Sequence, residues 1–175
     1  MKITELALSG VKIIEPTYFE DYRGYYCETY SKRTLTEYGI NDEFVQDNHS
    51  MTLKKGTLRG IHFQNNPVPQ IKLVRCTKGA IKDVVVDLRH NSSTFKQWLA
   101  VELSAENRRQ IWIPSGYGHA FLTLQDNCEV QYKVMSRNLI ELLPGMIQKL
   151  RLTGELITRL YLKKICRLLH LRKAM

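Results

Sequence analysis

Along residues 1–134 the apolar positions recur at short range, in runs of four to nine residues broken by turn-forming residues. This is the rhythm of short strands rather than of amphipathic helices. Ile71 to Thr77 alternates, Lys78-Gly79 turns, and Ala80 to Leu88 is an apolar, β-branched run. Gln97 to Leu103 alternates again, and Ser104-Ala105-Glu106-Asn107 turns into Gln110-Ile111-Trp112-Ile113. His119 to Leu124 and Cys128 to Val134 read as the arms of a hairpin through Gln125-Asp126-Asn127. Ser31 to Tyr38 is the single helical stretch, with Ser31 as its N-cap. Many short strands punctuated by Gly and Pro predict an all-β sandwich or barrel with few short helices. Closure into a jelly roll would hide the sheet edges and leave a pocket.

The pattern changes at Met135. Residues 135–175 are dense in Leu, Ile, Lys and Arg, contain neither Asp nor Trp, and show no strand alternation. The chain therefore divides into a domain over 1–134 and a basic tail over 135–175. From composition, the tail is either a helix that packs on the body, a partner or a membrane surface, or disordered.

Charge sharpens that boundary. The net charge is +9, but residues 1–134 hold 17 basic against 15 acidic side chains, while the tail holds nine against two. The basicity belongs to the tail, and a nucleic-acid surface on the body is not expected. No apolar run approaches the roughly 20 residues of a membrane span, and the N-terminus lacks a signal-peptide layout. A cytoplasmic protein with no membrane partner is expected. The four cysteines are scattered, without a Cys-x-x-Cys pair, and read as reduced thiols.

Four patches carry chemistry. Asp21 to Tyr30 reads as an aromatic edge strand after a turn, and Phe44 to Ser50 as a polar loop. In Leu58-Arg59-Gly60-Ile61-His62-Phe63-Gln64, strand alternation puts His62 on one face with Leu58 and Gln64. A histidine there is either a satisfied core group or a proton carrier. A metal is disfavoured, because a jelly-roll His-x-His pair would need histidine where Gln64 stands. Lys72 shares a face with Val74 and Cys76, and Tyr132 with Cys128, Val130 and Val134. Burying an ammonium or a phenol costs free energy unless each finds a partner. Several such residues in one small barrel (His62, Lys72, His119, Tyr132) point to a polar pocket, either an acid–base enzyme or a binding module.

Taken in order, these segments resemble the nucleotide-sugar epimerase family typified by dTDP-4-dehydrorhamnose 3,5-epimerase. The matching strings are Arg23-Gly24 with Glu28, Phe44 through Ser50, Leu58 through Gln64, Lys72 through Cys76, Ser104 through Asn107, Trp112-Ile113-Pro114 with Gly116 and His119, and Tyr132-Lys133. The resemblance covers residues 1–134 and implies a cupin-type double-stranded β-helix. It implies inversion of C3 and C5 of dTDP-4-dehydro-6-deoxy-D-glucose through an enolate, with no metal or organic cofactor and a homodimeric assembly. His62 would be the base, Tyr132 the acid and Lys72 the cation at the enolate oxygen. Arg23, Glu28, Gln46, Asn48, Arg59 and His119 would hold the dTDP-sugar. Neighbouring chemistries are a 3- or 5-epimerase or a 3,4-ketoisomerase on a related dTDP-keto sugar. A nucleotide-sugar-binding relic is the non-catalytic alternative.

The tail departs from the family. Its pattern has a Trp-Asn-Asp segment and then an aspartate in Ser-x-Lys-Asp that orients the base, and neither occurs in residues 135–175. Permitted codons for Glu141 to Met175, read from the third base of the Glu141 codon, can spell Trp-Asn-Asp-Pro followed by Ser-Glu-Lys-Asp. The tail is thus expected to be an out-of-frame translation beginning near Met135.

Overall fold

The computed structural model describes residues 1–64 and 69–135, and the backbone of Glu141 and Leu142. The reading of 135–175 as an out-of-frame tail falls, apart from Met135 and those two backbones, outside the described residues.

The strands are β1 (Lys2–Glu5), β2 (Lys12–Glu15), β3 (Tyr18–Asp21), β4 (Gly24–Cys27), β5 (Gln46–Thr52), β6 (Leu58–Phe63), β7 (Lys72–Lys78), β8 (Ala80–Asp87), β9 (Trp98–Ser104), β10 (Gln110–Ile113), β11 (Tyr117–Thr123), β12 (Cys128–Val134) and β13 (Glu141–Leu142). Among the described residues the one helix, α1 (Lys32–Glu37), is capped by Ser31, whose hydroxyl accepts from the Thr34 amide. Two antiparallel sheets result. The first runs β1-β2-β10-β7-β12-β5 and the second β13-β6-β11-β8-β9, with β3-β4 as a separate hairpin.

Val74, Cys76, Ile111, Ile113, Cys128 and Val130 of the first sheet meet Ile81, Val85, Leu103, Tyr117 and Phe121 of the second in one buried cluster. Each fully buried aliphatic side chain contributes roughly 1.5–3 kcal/mol, so this interface between sheets is the main source of stability. On the outer side of the first sheet, Leu35 of α1 packs with Ile14, Leu73 and Trp112. This is the expected all-β jelly roll.

Two sequence expectations need correction. The arms His119–Leu124 and Cys128–Val134 are not a hairpin, because β11 pairs with β6 and β8 while β12 pairs with β5 and β7. The turn between them carries the chain from one sheet to the other, a crossing that local alternation cannot distinguish from a hairpin. Residues 44–50 are not simply a loop. Gln46–Thr52 form β5, paired along its length with β12, since a polar edge strand needs only one wet face.

Candidate active site

The inward faces of the two sheets are apolar over most of their area and polar at one end. On β7 the inward series is Lys72, Val74, Cys76, and Lys72 is 6% exposed. Lys133↔Leu73 and Tyr132↔Val74 are partners, so Tyr132 shares the inward face with Val74 and packs against the main core. Tyr132↔Asn48 then brings Asn48 of β5 to the same side, with Ser50 and Thr52 following by alternation.

The second sheet supplies the histidines. His119↔His62 and Phe121↔Arg59 are partners, two residues apart on β11 but three on β6. The extra residue is a bulge around Gly60, whose φ is +115°. The bulge puts Arg59, and not Leu58, on the face of His62, correcting the alternation expected from the sequence. A Cβ at Gly60 would lie 2.7 Å from the Ala120 Cβ and from the His119 carbonyl oxygen, so the bulge depends on glycine. Arg59 ties the two sheets together at this end, its Nε donating to Thr52 Oγ1 at 2.8 Å and its Nη2 to the Met51 carbonyl at 3.1 Å.

The electrostatics follow from that crowding. Burial, and then the neighbouring Lys72, His119 and Arg59 side chains, pull the His62 imidazole down to about 4, so it is neutral at pH 7 and can accept a proton. Burial pulls the Lys72 ammonium down to about 8, with the Asp83 carboxylate opposing the fall. His119 Nε2 is 2.7 Å from Asp83 Oδ2, and both residues are buried. Asp83 was missed in the sequence, although a carboxylate amid Ile81, Val84, Val85 and Val86 is the same signal that marked Lys72.

The remaining candidates lie elsewhere. Gln46, at the start of β5, shares the face of Asn48 by alternation and donates to Asn48 Oδ1 at 2.8 Å. Arg23 and Glu28 are exposed and outside the interior group, Arg23 pairing with Asp21 at 2.6 Å at the tip of the β3-β4 hairpin. That hairpin also exposes Phe19, Tyr22, Tyr25 and Tyr26. On the outer side of the first sheet a groove of about 320 Å³ is lined by His49, Arg75, Gln131 and Lys133 among others. Its cations are already engaged, Arg75 with Gln131 and Lys133 with Asp47.

A jelly roll of two antiparallel sheets, enclosing two histidines, a lysine and a tyrosine at one end, defines a cupin-type protein equipped for proton transfer. Its sequence matches the family described as dTDP-4-dehydrorhamnose 3,5-epimerase over residues 5–139. It is 49% identical over 134 residues to the dTDP-4-dehydrorhamnose 3,5-epimerase of Salmonella typhimurium, covering 76% of this chain and 73% of that protein. It is 49% identical over 132 residues to the enzyme of the same name from Methanothermobacter thermautotrophicus, with 75% and 70% covered. Among solved structures, the Bacillus anthracis dTDP-4-dehydrorhamnose 3,5-epimerase with TDP and PPi bound superposes with a TM-score of 0.80 at 40% identity, over 87% of this chain and 91% of that one. The Legionella pneumophila dTDP-6-deoxy-D-glucose-3,5-epimerase in complex with dTDP-4-keto-L-rhamnose gives 0.75 at 42% identity, over 79% and 73%. The chain belongs to the dTDP-4-dehydrorhamnose 3,5-epimerase family.

Proposed function

We propose that this chain is built to invert C3 and C5 of dTDP-4-dehydro-6-deoxy-D-glucose, giving dTDP-4-dehydro-L-rhamnose. The hydrogens at C3 and C5 flank the C4 ketone and are acidic because the carbanion delocalises into an enolate. Inversion needs a base on one side of the ring and an acid on the other. The observation that carries this reading is that His62 and Tyr132 rise from opposite sheets, β6 and β12, into the same interior. Neutral His62 removes the proton, and Tyr132 returns one from the facing wall. Lys72, still largely cationic at pH 7 and shielded from water, stabilises the enolate oxygen as charge develops there.

Arg59, Asn48, Gln46 and His119 hold the sugar and diphosphate, the Arg59 fork suiting an oxyanion. Arg23 and Glu28 sit on an exposed aromatic hairpin and serve the site of a second copy in a homodimer. Residues 135–175 are an out-of-frame tail, so His62 in this chain lacks the family's orienting aspartate.

The test is solvent exchange of the dTDP-keto sugar in D₂O, followed by proton NMR. Loss of signal at both C3 and C5 supports the assignment. Loss at one carbon means a mono-epimerase. Tight dTDP binding without any exchange means a nucleotide-sugar-binding protein.

A further inference from the structure

Two carboxylates among the described residues are wholly buried, Asp83 and Asp87, each 0% exposed. They are treated differently by the fold. Asp87 is saturated, accepting from the Arg89 backbone and guanidinium, from Ser92 at 2.6 Å and from Thr94 at 2.6 Å, and so pins the β8–β9 connection. Among the described residues Asp83 has one hydrogen-bond partner, His119 Nε2 at Oδ2, while its Oδ1 is buried and without a partner. A buried carboxylate with unused acceptor capacity is costly. Nothing in the packing requires it, since Ile81 and Val85 on either side along the same face of β8 show that an aliphatic side chain suits this environment.

The geometry of the pair has a chemical consequence. An ionised carboxylate only accepts hydrogen bonds, so a 2.7 Å contact at Nε2 requires that Nε2 carry a proton. The second ring nitrogen, Nδ1, has no hydrogen-bond partner among the described residues. In the neutral ring it is then an acceptor. The strand partner of His119 is His62, so the His119 ring stands next to the residue proposed as the base.

We propose that Asp83 is a positioning residue, whose carboxylate locks His119 in the Nε2-protonated tautomer and so keeps Nδ1 as the acceptor for a hydroxyl of the bound sugar. This rests on the epimerase reading for the identity of the ligand, but not for the tautomer. The Asp83 charge strengthens that acceptor, and a neutral amide at position 83 can neither fix the ring nor supply the charge.

Two measurements on the full chain test it. The first is a long-range proton–nitrogen correlation on histidine-labelled, ligand-free protein at pH 7.5, with the His119 signals assigned by their loss in H119N. An Nε2-protonated ring supports the proposal; protonation at Nδ1, alone or together with Nε2, overturns it, and no altered protein beyond the assignment control is needed. The second is a cycle of D83N, H119N and the double variant in the exchange assay. D83N should lose about 10- to 100-fold in kcat/KM, the span of a hydrogen bond to a charged group, and the double variant should be no worse than H119N alone. Additive losses, or a D83N protein with unchanged kcat/KM and tautomer, overturn the proposal. Exchange absent even from the protein translated in the alternative frame beyond Glu141 would count against the epimerase reading, and the tautomer measurement would still decide the role of Asp83.

Discussion

His62 on β6 stands directly opposite His119 on β11, on one face of the second sheet, because the bulge at Gly60 adds a residue to one side of the ladder. The pairing crowds two imidazoles with Lys72 and Arg59, and this crowding, on top of burial, keeps His62 neutral.

A bell-shaped pH profile follows. Exchange measured as kcat/KM should rise as His62 loses its proton near pH 4 and fall as Lys72 loses its own near pH 8. Exchange rates from pH 3.5 to 10 check this, and an acid limb centred above pH 6 would remove His62 from the role of base.

Lys72 works at a cost to the fold. Its folded value of about 8 lies below the ordinary 10.5, so the ammonium destabilises the native state at neutral pH, and the penalty fades as pH rises from about 8 to 10.5. Lys72→Met should therefore stabilise the protein by about 1–2 kcal/mol at pH 7, less at pH 9.5, while lowering turnover by about 10³-fold or more. Urea unfolding at the two pH values reads the first effect and the exchange assay the second.

Tyr132→Phe should separate proton removal from inversion. With His62 intact, deuterium still enters the sugar, but protonation from the wall of β12 is lost. Accumulation of inverted product should drop by about 10² to 10⁴-fold, the range of a general acid, with exchange much less affected. Equal losses in both would place Tyr132 outside the role of acid.

Much of this was legible from residues alone, and what was not has identifiable causes. The span Cys128–Val134 matches β12 to the residue, and Ser31 caps α1, because periodicity and capping are local properties. The crossing between β11 and β12 is not local: a three-residue turn serves a hairpin or a change of sheet equally well, and only the pairing of distant strands decides. The face of His62 was misassigned for a similar reason, since a bulge resets alternation and Gly60 was its only trace. Lys72 and Tyr132 stood out as polar residues in apolar strands. Asp83 met the same criterion and was passed over because Ala80 to Leu88 reads as one apolar, β-branched run.

Gly60→Ala tests the bulge. The added methyl would meet the Ala120 Cβ and the His119 carbonyl oxygen at 2.7 Å, at a φ that alanine resists. We expect about 2–4 kcal/mol of destabilisation and a loss of exchange activity even in the fraction that stays folded. An unchanged urea midpoint would mean that β6 can straighten without cost.

The tail gives a prediction that needs no structure. The 175-residue chain should turn over slowly, and a protein translated in the alternative frame beyond Glu141 should be fully active, since an aspartate that orients a histidine base can be worth on the order of 10⁴ in rate. Sequencing the gene across codons 130–145, and comparing turnover of the two proteins, checks this; equal rates would refute it.

β5 carries Gln46 and Asn48 at the margin of the first sheet, bonded to β12 alone among the described strands, whereas Lys72, Tyr132 and His119 lie on strands with neighbours on both sides. Substitutions on β5 disturb one ladder; substitutions beside Lys72, Tyr132 or His119 disturb two. On the proposed assignment, the contacts that Gln46 and Asn48 make with the nucleotide sugar can be edited at this border while the proton-transfer groups stay fixed, so room to change ligand is written into the strand order.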